Sequence, residues 1–425
     1  MHFIPLIYFA SLTYYFWQRN RVFDIAVYMS LLFTITSFCC VIMVEGGYME
    51  GSGVLCDGYA PDISIFATIT YCAFVTMTIA PFALIRPEKI KRIENAHRIV
   101  LYVLTGIITL QGFLMAYVVM GSISGLLEGD FNYIKEAGYA GDMSPFEVKL
   151  ATMHVAIKIF LLPASLTLFA LPLFFYFTCI EKRSLWLTSP LLLVSVGPVL
   201  RGMVSADRTE IIYYGLMFFF CLILFQKHLE KRVKYFFGIL SVPVMIIGTV
   251  YIVAVSISRF EEREEGASGS MLEYAGQPFL NYCYFYENHN SDLYYIEREI
   301  PITSWIVFNS QYADTKTERT AREGFFVGVF ASHVGSWLLD VGVIGAFVLS
   351  FLFALISLIV IGRFNREVYD ISDVLMLFCL VTIPIFGIFY YRYYSAPLAI
   401  QYLVAGLLYL FAKVSIVWHK DKTEV

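Results

Sequence analysis

Charge is scarce in this chain. Only 15% of its 425 residues are Asp, Glu, Lys or Arg, while 59% are hydrophobic and 17% aromatic; an ordinary soluble domain carries about 25% charged residues. The shortage excludes a soluble globular protein and leaves no stretch that would form a soluble domain of its own. Cysteine lacks pattern. The eight cysteines are scattered without metal-ligand spacing, and Cys39, Cys40, Cys72, Cys179, Cys221 and Cys379 fall inside apolar runs, where they read as small packing residues. No metal or cofactor is therefore expected. Cys56 and Cys283 lie in loops expected on the same side and could pair, although spacing alone cannot show it. A Walker-type phosphate loop, a dinucleotide fingerprint, internal repeats and coiled-coil heptads are all missing, which argues against an ATP-driven machine.

What the chain has instead is a series of hydrophobic runs of about 17–25 residues, each able to cross a hydrocarbon core as a helix that satisfies its own backbone. They predict an all-α integral membrane protein of about eleven spans, near residues 3–17, 24–44, 63–85, 99–120, 155–180, 185–204, 210–225, 235–256, 338–361, 374–391 and 396–418. The first run is kept as a span because no small-residue cleavage site follows it. Pro163, Pro172, Pro190 and Pro198 predict kinks. The chain reads as one polytopic domain, 1–425, with a large polar and aromatic loop, 257–337, between spans eight and nine.

The net charge of −4 says little about partners, because the side of the membrane on which each charge sits matters more. Loops after the odd-numbered spans are the basic ones, including the run from Arg86 to Arg92, Lys182-Arg183 and the run from Lys227 to Lys234. The positive-inside rule makes that side cytoplasmic, together with the C-terminus. The large loop, the acidic loop 45–62 and the turn 201–209 then face outward, as does the N-terminus. Nucleic acid is not an expected partner.

Two outward segments hold ionisable residues that a simple helical bundle does not need. Arg201 and Arg208 flank the turn between spans six and seven, close to Asp207 and Glu210. A guanidinium fork suits a diphosphate, since it donates two parallel hydrogen bonds and stays charged when partly desolvated. An interfacial ion pair of Arg208 with Asp207 or Glu210 is the competing reading. In the large loop, Tyr274, Asn281, Tyr284 and His289 interleave rings with polar groups, as a carbohydrate site requires and as a membrane-interface belt also shows. Arg319 and Arg322 are spaced to share a helix face and clamp phosphate, or to pair with Glu318 and Glu323. His333 stands just before span nine at the expected outer interface, placed either to deprotonate a hydroxyl or to serve as a hydrogen-bonded structural residue. Asp340 lies just inside that span, where a carboxylate is costly unless paired. His154 and Lys158 begin span five on a shared face, with interfacial anchoring as the competing role.

Ser332-x-Val334-Gly335, Asp340, Gly342 and Gly345, running into a hydrophobic helix, resemble a pattern of the Wzy-type O-antigen and capsule repeat-unit polymerases. The Ser205-to-Glu210 turn is similar to that family's Arg-Thr segment, and Tyr274-x-Gly276 with Phe279-x-Asn281 looks like its loop motif. The related O-antigen ligases carry a His-Asn-like pair eleven residues before the first helix glycine; here that position is Ala331, followed by Ser332, and His333 lies two positions later. The departure favours polymerase over ligase.

The resemblance implies a metal-independent glycosyltransferase of GT-C architecture at the outer face of a bacterial inner membrane, with the large loop periplasmic. Its donor would be a growing glycan on undecaprenyl diphosphate and its acceptor a lipid-linked repeat unit, in company with a chain-length regulator and a flippase. On that expectation Arg201, Arg208, Arg319 and Arg322 bind diphosphate, Glu210, His333 or Asp340 serves the acceptor hydroxyl, and Tyr274, Asn281, Tyr284 and His289 bind glycan. A ligase-like glycan transferase and a lipid-linked sugar transporter are the alternatives; the lack of a repeat between halves and of mid-span charges argues against the transporter.

Overall fold

A computed structural model describes residues 1–47, 63–95, 97–122, 144–161, 164–205, 207–260, 266–289, 320, 323–325, 327–362, 366–391 and 396–423. These residues are mostly helical, as a membrane protein requires. Five helices are long and apolar enough to cross a membrane by themselves: Ile25–Glu45, Ile65–Lys89, Arg98–Met120, Leu185–Val204 and Ser332–Ile361. A sixth span forms if Val155–Leu161 and Leu166–Ile180 are joined across a 51° bend. Thr209–Phe225, Gly248–Ile257, Ile371–Phe386 and Ala399–Val414 are shorter apolar helices. Large apolar residues such as Phe66, Ile99, Trp186 and Ile344 are at least two-thirds exposed. On a soluble protein such surface would mark an interface; on membrane helices it is the face that meets lipid.

The chain divides into two compact units. One comprises Met1–Arg86, Glu264–Arg366 and Cys379–Ala399; the other comprises Pro87–Arg263, Glu367–Phe378 and Ile400–Val425.

In the first unit, Phe9, Phe33, Tyr71, Phe279 and Tyr282 form a chain of ring contacts with centroids 5.1–6.1 Å apart. Tyr282 and Phe279 belong to helix Gly266–Asn288, which occupies much of the segment expected as a loop. Gly276 is the reason that this helix lies so close to Ile25–Glu45: a Cβ there would stand 2.9 Å from the Cys39 carbonyl oxygen and the Cys40 backbone. Between membrane helices, where lipid is as apolar as leucine, such small-residue contacts are a principal source of association. Cys283 is buried, and Cys56 lies outside the described residues.

Helix Ser332–Ile361 is broken at Gly342, whose φ of 69° and ψ of −179° are not helical. The break reverses the chain. Trp337 and Phe353 are sixteen positions apart (353 − 337), which is about 24 Å along a straight helix, yet their rings are 6.4 Å apart. The second arm runs beside Ile65–Leu84 in the same direction, with Phe347 against Phe74 and Phe353 against Phe82. The first arm doubles back along the second, and every residue from Ser332 to Asp340 is buried.

In the second unit the loops expected on the cytoplasmic side meet. Strand β1 (Arg92–Glu94) pairs in parallel with β2 (Val368–Asp370). Lys91 bonds Glu367 at 2.8 Å, and Lys182 bonds Glu230 at 3.2 Å. Helix Ile371–Phe386 starts at a reciprocal cap, with Ser372 N–H donating to Asp370 and Asp370 N–H donating to Asp373, both at 2.8 Å. Lys413 of helix Ala396–Thr423 bonds the buried Asp373 at 2.7 Å, which fastens the last helix to this cap. Deeper in the unit, Met115, Val118, Val119, Phe146, Leu161 and Val204 form an apolar core against which Leu200 packs.

The dihedral angles of Gly342 lie in a region open almost only to glycine, where a Cβ costs about 1–3 kcal/mol. Gly342→Ala should therefore lower the thermal midpoint of the detergent-purified protein by several degrees, whereas Gly106→Ala, on a helix with open space at the added Cβ, should not. Equal midpoints would mean that the hairpin is not formed.

Candidate functional site

The second unit positions Arg201 and Arg208. Helix Gly197–Val204 ends in Ser205, whose N–H bonds the Arg201 and Gly202 carbonyls, and Asp207 N–H returns to the Gly202 carbonyl at 2.8 Å. Asp207 then accepts from Thr209 N–H at 3.0 Å, which starts helix Thr209–Phe225. The turn is packed on helix Lys231–Phe260, where Tyr251 donates to the Met203 carbonyl and Arg208 donates to the Ser256 hydroxyl. Glu210 is buried behind the turn. Gly202 makes room for it, since a Cβ there would meet Glu210 Cγ at 2.7 Å.

Glu210 faces Arg201, with Nη2 3.9 Å from Oε1. That distance is too long for a hydrogen bond. Arg201 thus has a counter-charge that holds it in place, while its guanidinium keeps its donors and its side chain is 42% exposed. Among the described residues no hydrogen bond claims them. His154 and Lys158 are used locally instead: Lys158 donates to the Ala151 carbonyl at 2.7 Å, and His154 accepts from Ala156 N–H.

The first unit holds the remaining described candidates, and it places them differently from the expectation. His333 is not at the outer interface. It is fully buried, its Nδ1 is 3.2 Å from the Gly387 carbonyl and its Nε2 is 3.1 Å from the Thr78 hydroxyl. A carbonyl only accepts, so Nδ1 carries the hydrogen, and Nε2 shares the one Thr78 hydroxyl hydrogen with the Val75 carbonyl, which lies 2.8 Å from that hydroxyl. Trp337 and Phe33 wall the ring. Phe33 stands eight residues (33 − 25) from the start of helix Ile25–Glu45, and Thr78 six residues (84 − 78) from the end of the helical stretch Ile65–Leu84, about 9–12 Å along the axes. The hairpin at Gly342 carries His333 to this depth, and Gly387 admits it; a Cβ at Gly387 would stand 2.3 Å from Nδ1. Asp340 is buried in the same arm. Each ring nitrogen of His333 thus has a neighbour inside the protein, and the ring packs as part of the hairpin.

The residues expected to bind glycan lie on or next to helix Gly266–Asn288 and face neighbouring chain instead of an open groove. Tyr274 meets the Phe330 ring edge-on at 5.2 Å, and Tyr284 meets Phe325 likewise at 5.2 Å. Asn281 is fully buried, donating to the Gln277 side chain at 3.0 Å and to the Phe330 carbonyl at 2.8 Å. His289 is bonded to Glu323, with 3.2 Å between Nδ1 and Oε2. Arg319 and Arg322 lie outside the described residues. Thr78, Gly387, Ser256 and the His289 partner Glu323 were missed as site residues, because their importance comes from contacts between distant stretches of sequence.

Compared with protein-family models, curated proteins and solved structures, the chain matches none.

Thr78→Val keeps the shape of residue 78 but leaves His333 Nε2 buried without a donor, a loss of about 1–3 kcal/mol. Thermal unfolding in detergent should show a lower midpoint for Thr78→Val and a smaller change for Thr76→Val, whose hydroxyl bonds Tyr8 in an exposed contact.

Proposed function

We propose that this chain is a polymerase of lipid-linked oligosaccharide repeat units. On this reading it is an eleven-span, GT-C-type glycosyltransferase in a bacterial inner membrane. It transfers a growing glycan from undecaprenyl diphosphate to a new lipid-linked unit at the outer face. The observation that carries the reading is Arg201: a half-exposed guanidinium at the end of an apolar helix, aimed by a buried carboxylate that does not hydrogen-bond it. Departure of the glycan leaves charge on the diphosphate, and fixed cations in a water-poor site stabilise that charge more than water does. Arg208, fixed through Ser256, is the second cation of the same turn. The sequence resemblance supplies the substrate class.

Arg201→Lys and Arg208→Lys keep the charge and lose the planar fork. In cells lacking this protein, complementation with either variant at normal abundance should leave surface glycan as single repeat units, with polymer reduced about 10²-fold or more. Loss of all surface glycan, single units included, would point instead to a ligase or a flippase, and normal chain lengths would reject the role of the turn.

The inferred sidedness has its own test. Single cysteines at positions 92 and 182 should be protected from an impermeant thiol reagent added to intact spheroplasts, and one at position 288 should react.

A further inference from the structure

Helix Lys231–Phe260 of the second unit has two faces that the helical period keeps apart. Val233, Phe237, Tyr251 and Val255 are buried, and the Phe237 ring packs against Phe174, Phe175 and Phe218 at 5.2–5.9 Å. On the opposite side Tyr235, Ile239, Ile246, Val250, Val253 and Ile257 follow one another at intervals of three, four or seven residues, and all are exposed. They form one apolar stripe that runs from the first turns of the helix to its last.

The stripe begins next to two cations. Lys231 stands four residues before Tyr235 on the same face, and Lys234 stands three residues after Lys231. Residues three apart on a helix are neighbours, with Cβ atoms about 5–6 Å apart, so both amines can reach one phosphate. Together with Tyr235 and Ile239, the two lysines line an open recess of about 440 Å³. Both are exposed, and neither amine has an ion pair or a hydrogen bond among the described residues. The carboxylates at this end of the unit are engaged elsewhere: Glu230 pairs with Lys182, Glu181 with Arg183 and Glu367 with Lys91.

A single interfacial lysine needs no special account, since its stem covers apolar surface while its amine reaches water or any headgroup. Two amines at the mouth of a recess that continues as a ring and an aliphatic side chain match the two parts of one amphipathic molecule. Net charge selects among lipids. A zwitterionic headgroup brings a cation of its own, which would sit among Lys227, Lys231, Arg232 and Lys234, with Glu230 already paired. An anionic headgroup brings none.

We infer that this recess binds an anionic glycerophospholipid, with the phosphate on Lys231 and Lys234 and an acyl chain against Tyr235 and Ile239. The inference is independent of what the turn at Arg201 does.

The test uses the full-length protein purified in detergent and native mass spectrometry, with phosphatidylglycerol and phosphatidylcholine of the same acyl chains added together at equal concentration. Wild type should retain phosphatidylglycerol over phosphatidylcholine by about tenfold or more, the scale of what two lysines contribute at an anionic surface. Lys231→Gln combined with Lys234→Gln should bring that ratio to about one. Lys89→Gln combined with Arg98→Gln removes the same charge from exposed positions at the same end of the unit, outside the recess, and should leave the ratio unchanged.

A wild-type ratio near one overturns the inference. An equal fall in both double variants does so too, because the preference would then belong to a diffuse basic belt. Displacement of the lipid by millimolar inorganic phosphate also overturns it, since the recess would then take the phosphate alone.

Discussion

Inside a membrane a chain that leaves the helix must answer its own backbone, since no water is there to do it. The first unit depends on how it meets that demand at one place. The broken helix begins with Ser332 N–H bonded to the Phe389 carbonyl at 2.7 Å and His333 N–H bonded to the Gly387 carbonyl at 3.0 Å, just where helix Ile371–Phe386 has ended. Each interrupted helix supplies what the other lacks. Ser336 extends the exchange by accepting from Tyr391 N–H, and the His333 ring fills the space left by the absent side chain of Gly387. The reversal at Gly342 follows from the same economy. It returns the chain to the lipid-facing arm while keeping the first arm, with Asp340, wholly inside protein.

Helix positions were legible in the sequence because length and apolarity control insertion in lipid. The basic loops were legible as a group, and in the second unit they do meet, through β1 with β2 and through Lys91 with Glu367. Helix Gly266–Asn288 was not legible. Its tyrosines, its glycines and Pro278 read as loop, and what makes it a helix is tertiary contact at Gly276 and Tyr282, which no local pattern announces. The hairpin was hidden for a related reason. Gly342 belonged to a motif, but a glycine in an apolar run looks the same whether it reverses the chain or packs against a neighbour.

The site candidates divide along the same line. Arg201, Arg208 and Glu210 are close in sequence and close in space, so the turn could be read directly; only the pairing of Glu210 with Arg201 needed coordinates. His289 and Glu323 are thirty-four positions apart (323 − 289), and the sequence assigned Glu323 to neighbouring arginines. His333 shows the opposite case. Its place in a motif suggested the outer interface, whereas both ring nitrogens meet groups inside the protein. A histidine's role is set by what its second nitrogen meets, and that is seldom written in its neighbours.

The parallel pairing of β1 with β2 carries a consequence for how the chain is threaded. Helix Arg98–Met120 leaves β1 after three residues, and helix Ile371–Phe386 leaves β2 at once. Their opening turns share a cleft, with Leu101 and Leu104 of one and Ile371 and Leu375 of the other among its lining residues. Both helices therefore set out side by side from the same end of the second unit. On the reading in which both helices cross the bilayer, the chain makes an even number of full crossings between residues 98 and 371, and the reversal at Gly342 does not count as one. Parity of this kind is conserved under any tilt or kink of the individual spans, so a topology that gains or loses a single crossing in that interval would have to break the two-stranded sheet.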